Sequence, residues 1–222
     1  MSDVLTDLRT EGDALARLAG GLDGALTPGT ERAVTRSFAR LAEVSRQVIR
    51  SVATAPALSA VAGSLRDTVR AWLADHHRAT DLLAAADAGT ELPWTDGPLR
   101  PSVLAAAALS ELFAHGQDIT DILGIEPVRN DSCGHVAYYG VRTRDTVYRR
   151  HGMTPPATPF RFELSAPSGT LWKFGPAEVE ERIAGPGEDF CLLVTGRRPL
   201  SALTLVASGK QASHWLTLVS PQ

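Results

Sequence analysis

The sequence contains little cysteine and little lysine. Its two cysteines, Cys133 and Cys191, lack the CxxC spacing of zinc sites and redox motifs, so we expect two reduced thiols and no structural disulfide. Lys173 and Lys210 are the only lysines, and the formal net charge is −3. Because a nucleic-acid binder typically carries a basic excess, we expect no nucleic-acid partner.

Long apolar runs are also absent. A membrane-spanning helix needs about 18 or more apolar residues in succession, and the sequence has no such run. The N-terminal residues lack the basic and apolar regions of a signal peptide. The composition, 44% hydrophobic and 21% charged, is ordinary for a globular protein. We therefore expect no membrane partner and a cytoplasmic location.

Helical periodicity dominates the first half. Apolar residues recur at intervals of three and four, as in the stripe Val34, Phe38, Leu41 and Val48, and this spacing predicts amphipathic helices. The predicted helices cover about residues 3–22, 30–54 with Thr30 as the N-cap, 58–87 and 101–124. Four such helices predict a four-helix bundle. Together with a connecting helix at 135–150, they form a predicted domain of residues 1–150.

The second half changes to the alternation that is typical of strands. Phe160, Phe162 and Leu164 alternate with polar residues, and residues 167–169 predict a hairpin turn. The apolar run 189–195 fits a helix or a strand, and Asp189 as a cap favours the helix. A linker at 153–159 precedes a predicted domain at 160–222 with the order βββαβα. The predicted fold class is therefore α+β, a helical bundle followed by a small α+β domain.

Three polar side chains share one predicted stripe of the fourth helix. Glu111, His115 and Asp118 stand at i, i+4 and i+7, a spacing that brings them to one face. Such groups bind metals or transfer protons, and burying their charges is costly unless they are paired or metal-bound. Three interpretations stay open: a metal site, a metal-free acid/base pair in which a buried glutamate holds the imidazole tautomer, and a satisfied polar pair without chemistry.

Five segments, in order along the chain, resemble a known family. They are residues 3–22, 111–119, 135–145, 190–198 and 209–216. These segments resemble the mycothiol-dependent maleylpyruvate isomerase family within the DinB-like metalloprotein superfamily, and more narrowly an actinobacterial branch of metal-binding proteins. The resemblance implies a DinB-like four-helix bundle, a small C-terminal domain, and isomerisation or thiol-dependent transfer.

The resemblance also implies a three-ligand metal site, of which one part is missing here. The family's histidine early in the second helix has no counterpart. The segment that would carry it is absent, because residues 26–29 are followed at once by residues 30–34, and the chain has no histidine before His76. The other two ligands correspond to Glu111 and His115, and His76 is the candidate replacement for the third. Since catalytic zinc normally has three protein ligands, we expect no tightly bound zinc or nickel.

Further residues are candidates for substrate binding. Loss of the ligand segment would open the mouth of the bundle to a pocket lined by Trp72, Phe113 and His115, with His76 as a further contact, suited to a bulky and largely apolar substrate. Tyr139 is a candidate hydrogen-bond donor to a substrate oxygen. Four arginines near the domain junction are candidate contacts to a carboxylate or to mycothiol: Arg142, Arg144, Arg197 and Arg198.

These observations favour an enzyme that acts on a small organic substrate. The catalytic candidates are His115, Glu111 and Asp118, in a metal-independent isomerase or cyclase-type acid/base reaction of a biosynthetic pathway. Two alternatives stay open: a thiol (mycothiol)-dependent transferase or isomerase with a retained metal, and a non-catalytic ligand-binding relative. The sequence leaves the substrate open, and also whether the protein forms a homodimer.

Overall fold

The computed structural model describes residues 3–22, 24–53 and 63–221. Contacts divide the chain into two compact units between Pro127 and Val128, and each unit is described by itself. The sequence analysis assigned the connecting segment up to residue 150 to the bundle. In the structure this segment groups with the C-terminal unit, because its helices pack against helices near the C-terminus.

The first unit contains four long helices: α1 (Val4–Gly20), α2 (Pro28–Val52), α3 (Leu65–Ala85) and α4 (Pro101–Leu123). Asp3, Thr27 and Ser64 cap the first three helices through side-chain oxygens that accept backbone N–H groups. Gly124, with φ at 65°, ends α4 in the left-handed conformation that glycine adopts at no steric cost.

The predicted N-cap of α2, Thr30, was wrong. The N-cap of α2 is Thr27, since Pro28 already occupies the first turn, where its missing N–H is tolerated. Helix α3 begins at Leu65, after the cap at Ser64. The predicted start at residue 58 lies outside the described residues, as does the whole of 54–62.

Helix α4 lies at the centre of the bundle. It contacts each of the other three helices, and every residue from Val103 to Ser110 is buried. The largest side chains around it include Phe38 and Trp72, which are fully buried with ring centroids 5.1 Å apart. The predicted four-helix bundle is confirmed.

The second unit combines a small sheet with short helices. Its elements are α5 (Cys133–Arg142), α6 (Arg144–Arg150), β1 (Arg161–Ser165), β2 (Leu171–Phe174), β3 (Arg182–Pro186), α7 (Gly187–Val194), β4 (Val206–Ser208) and α8 (Lys210–Val219). The strand order is β2-β1-β3-β4. The central pair β1 and β3 is parallel, and both outer pairs are antiparallel. From β1 onwards the order is βββαβα, so the predicted α+β class and element order are confirmed.

An aromatic cluster holds the second unit together. Trp215 of α8 stacks on Phe190 of α7 at 6.1 Å and meets Phe162 of β1 edge-on at 5.8 Å. The buried indole N–H of Trp215 donates to the carbonyl of Arg144 at 3.1 Å, which fixes α8 against the start of α6. The side chain of Trp215 thereby joins α8 to β1, α6 and α7.

Some local predictions in this unit differ from the structure. The single connecting helix is broken at Thr143, between α5 and α6. Asp189 does not cap α7; its carboxylate accepts the backbone N–H of Thr204 instead. A 3-10 turn at Leu200–Ala202 also lies between α7 and β4.

Among the described residues, no helix combines the length and the apolar character that crossing a membrane requires.

A glycine substitution in α1 tests the α1–α3 packing. A Cβ on Gly12 would lie 2.2 Å from Nε2 of His76, whereas a Cβ on Gly20 would meet nothing within 4 Å. We expect Gly12→Ala to lower the free energy of unfolding by about 1–3 kcal/mol through overpacking. Gly20→Ala, the matched control, is expected to be neutral or to stabilise by up to about 1 kcal/mol through helix propensity. Urea denaturation measures both, and equal effects of the two substitutions would contradict this packing.

Candidate functional site

His115 lies between two carboxylates on the surface of α4. Its Nδ1 is 3.1 Å from Oδ2 of Asp118, within hydrogen-bonding distance. Its Nε2 is 3.7 Å from Oε2 of Glu111, an ion-pair distance once the ring is protonated. Both ring nitrogens therefore face a carboxylate, one through a hydrogen bond and the other across a longer gap.

The burial of this cluster differs from the prediction. The side chain of His115 is 17% exposed, but those of Glu111 and Asp118 are 48% and 37% exposed. In a helix of 3.6 residues per turn, positions i−4 and i+3 are both rotated by about 40–60° to the same side of residue i. That side leads away from the core, so the expectation of a buried glutamate was wrong.

This donor set does not fit a metal ion. Glu111 and Asp118 contact different nitrogens of one imidazole ring, and these two nitrogens point in diverging directions, so the three groups do not converge on one point. Across residues 3–22, 24–53 and 63–221, no group of three histidine, cysteine, aspartate or glutamate side chains is placed to hold a metal. His76, Glu111 and His115 thus form no three-ligand site.

His76, the candidate replacement ligand, is a hydrogen-bonded core residue. It is 5% exposed, its Nε2 is 2.9 Å from the carbonyl oxygen of Leu8, and its ring packs against Gly12 and, at 5.4 Å, against Trp72. Burial lowers the pKa of His76 from 6.5 to about 4, although the bond to Leu8 opposes this shift. The ring is therefore neutral at physiological pH, and Nε2–H is the donor to Leu8.

The predicted pocket residues do not share one cavity of the bundle core. A small cavity of about 10 Å³, room for roughly one water molecule, is lined by both Trp72 and His76, together with Leu112. Phe113 and His115 do not line this cavity. Trp72 is fully buried against Phe38, so its position is that of a core residue rather than of a substrate contact.

The candidates of the C-terminal unit have diverse surroundings. Arg144 donates from all three guanidinium nitrogens, to Asp145 and to the carbonyls of Thr158 and Pro156, and it lies 4.6 Å above the ring of Phe160. These bonds fix the linker before β1, so Arg144 has a structural role in place of the expected cofactor contact.

The remaining candidates of this unit occupy helix ends and turns. Tyr139 is half-buried on α5, and Arg142 is exposed where α5 ends. Arg197 and Arg198 each donate to a nearby backbone carbonyl, those of Thr195 and Arg197.

Sequence reasoning missed a second imidazole–carboxylate pair. His77 on α3 and Asp13 on α1 are 2.7 Å apart and about one-third exposed. The residues stand 64 positions apart, and no short-range spacing could have shown this pairing. Next to it, Arg9 and Asp81 form a further bridge between the same helices, so the pair belongs to a ladder that joins α1 to α3.

Comparisons with known proteins match the chain to one family model and to curated proteins. A family model described as wyosine base formation matches residues 156–208. Uncharacterized proteins of Mycobacterium tuberculosis strains CDC 1551 / Oshkosh and H37Rv are 41% identical over 147 residues, which are 66% of this chain and 57% of theirs. The chain thus spans little more than half the length of these curated relatives.

The fold also has a counterpart among solved structures. The crystal structure of a mutant of the mycothiol-dependent maleylpyruvate isomerase is similar, with a TM-score of 0.49 and 15% identity over 92% of this chain and 91% of that chain. At this identity the likeness concerns the fold, and it carries neither substrate nor mechanism to this chain.

Buried His76 predicts a pH dependence of stability. Because its folded pKa of about 4 lies below 6.5, the unfolded chain binds a proton that the folded chain rejects, so stability is full above pH 6.5 and falls towards pH 4. The loss attributable to His76 is at most about 3 kcal/mol. Urea unfolding at pH 7 and pH 5 measures it. His76→Gln should reduce the pH dependence of the free energy of unfolding. An unchanged pH dependence in that variant would show that other groups cause it.

The diverging donors predict weak metal binding. Tag-free protein is expected to contain zinc or nickel well below one equivalent per chain, because too few ligands converge on one point. Elemental analysis of the purified protein measures the content, with His115→Ala as the comparison. One equivalent of metal in the wild type that disappears in this variant would contradict the geometry.

Proposed function

We propose that the protein is an enzyme of acid/base chemistry that acts on a small organic molecule in the cytoplasm without a metal. The observation that supports this best is the placement of His115 between Asp118 at Nδ1 and Glu111 at Nε2. A histidine oriented by a carboxylate and still partly open to solvent suits proton transfer near neutral pH.

The hydrogen bond to Asp118 would set the tautomer of His115. With Nδ1–H donating to Oδ2, Nε2 carries the lone pair and acts as the base. Glu111 is too far from Nε2 for a hydrogen bond at 3.7 Å, which leaves that nitrogen available to a substrate proton. Once Nε2 is protonated, Glu111 attracts the imidazolium that has formed.

Such a pair can perform an isomerisation without another cofactor. Nε2 takes a proton from a carbon next to a carbonyl group, the electron pair moves towards the carbonyl oxygen, and the imidazolium returns the proton to a different carbon. The proton count of the enzyme is unchanged after each turnover. A cyclisation or an elimination can use the same two transfers.

A second candidate rests on the family match over residues 156–208. In this alternative the C-terminal unit takes part in wyosine base formation, as the description of that family states. The match covers a minority of the chain and contains none of the residues around His115, so the two roles would be separate. Mass spectrometry of modified nucleosides from cells with and without the gene tests it, and identical profiles would reject it.

The acid/base proposal predicts the effects of three substitutions. Wild-type protein in D₂O with EDTA is expected to accelerate hydrogen–deuterium exchange in at least one of a panel of 2-oxo acids and maleylpyruvate. His115→Ala should lower the rate by roughly 10²–10⁴-fold, since it removes the base. Asp118→Asn and Glu111→Gln should have smaller effects, because each leaves the imidazole in place. Exchange is followed by proton NMR, with and without mycothiol.

The controls separate the site from the fold. His77→Gln changes another imidazole that faces a carboxylate, and it should leave the exchange rate unchanged. The proposal would be rejected if His115→Ala exchanged the compounds as fast as the wild type does. It would also be rejected if the exchange rates of the two proteins differed on none of the compounds. Activity that appears only with mycothiol would favour the thiol-dependent alternative.

A further inference from the structure

The only two cysteines of the sequence meet inside the C-terminal unit. Cys133 is the first residue of α5 and Cys191 lies in α7, 58 positions later. Both are free thiols and both are buried. The thiol of Cys191 donates to the carbonyl oxygen of Cys133 at 3.2 Å, so one sulfur lies directly against the backbone of the other residue.

The packing of α5 on α7 holds this contact in place. Gly140 of α5 allows the close approach, since a Cβ there would lie 2.8 Å from Val194 and 3.2 Å from Phe190 of α7. A disulfide requires Cα atoms roughly 4.4–6.8 Å apart. Two tightly packed helices whose cysteines already touch are placed to meet that requirement with little movement.

The two thiols differ in reactivity. Burial raises the pKa of Cys191 well above its usual value, and contact with the side chain of Cys133 raises it further. The thiol of Cys133 lies in the first turn of α5 and donates to the carbonyl oxygen of Asn130 at 3.1 Å. Cys133 is 3% exposed and Cys191 is fully buried, so Cys133 is the thiol that a peroxide reaches first, and Cys191 is the one that resolves the product.

We propose that Cys133 and Cys191 form a reversible disulfide when the protein meets a peroxide. The Cys133 thiolate attacks one peroxide oxygen and becomes a sulfenic acid, and the other oxygen leaves as water. The Cys191 thiolate then attacks the sulfenic sulfur, the S–S bond forms, and the hydroxyl group leaves as a second water. Two thiols are oxidised, one peroxide is reduced, and a dithiol reductant reverses the change.

The cross-link would lock α5 against α7. It closes a loop that contains α6, β1, β2 and β3, and it restricts the unfolded chain more than the folded one. It also fixes α5, the helix that carries Tyr139 and Arg142. This proposal is independent of the acid/base chemistry at His115, so either can fail without the other.

The test uses the full chain treated with hydrogen peroxide and then with dithiothreitol. We expect peptide mapping to find the peptides of Cys133 and Cys191 joined, with the loss of two hydrogen atoms and full reversal by the reductant. Thermal unfolding of the oxidised protein should shift upward by roughly 5–10 °C. Cys133→Ser and Cys191→Ala should abolish both the joined peptide and the shift.

Other outcomes would overturn the proposal. The peroxide treatment must leave neither cysteine irreversibly oxidised. Under that condition, the contradicting outcomes are two thiols that stay unmodified, a single oxidised cysteine without a cross-link, or a disulfide between two chains. The joined peptide is read from wild-type protein alone, so the result stands even if one variant fails to fold. The rate of exchange at His115 is measured separately and does not enter this test.

Discussion

The burial of α4 on all sides is the constraint on which the bundle depends. Eight successive residues, from Val103 to Ser110, are inaccessible, and a helix that is apolar all round is stable only when other elements enclose it. Helices α1, α2 and α3 each contact α4. Charged side chains appear on α4 only after this stretch, beginning with Glu111, and the imidazole of His115 therefore stands where the enclosed part of the helix gives way to its more open end.

The elements of the fold were largely predictable because their signals are local. Stripes of apolar residues, prolines in first turns and alternation from Phe160 onwards each report on a few neighbouring residues. Element boundaries were less predictable, since competing caps such as Thr27 and Thr30 differ only in which hydroxyl the folded chain uses. The break at Thr143 depends on packing within the C-terminal unit, which no short window of sequence contains.

The residues of the site could be predicted from the sequence, but their exposure and their hydrogen-bond partners could not. The spacing of Glu111, His115 and Asp118 follows from helix geometry alone, whereas their exposure depends on how far around α4 its neighbours extend. The same limit applies to His76 and Arg144. Their residue types suggested ligands, but partners distant in sequence, Leu8 for the histidine and Thr158 for the arginine, use their hydrogen-bonding groups for structure.

The absence of an early histidine and the geometry around His115 both favour proton transfer over metal binding. A metal needs donors that converge, and it needs each histidine unprotonated at the nitrogen that binds it. Here one ring nitrogen is already bonded to Asp118 and the other faces Glu111 from outside hydrogen-bonding range. An arrangement that binds a metal cation poorly can still transfer a proton, because a proton binds to one nitrogen at a time. The two carboxylates stabilise the positive charge of the protonated ring.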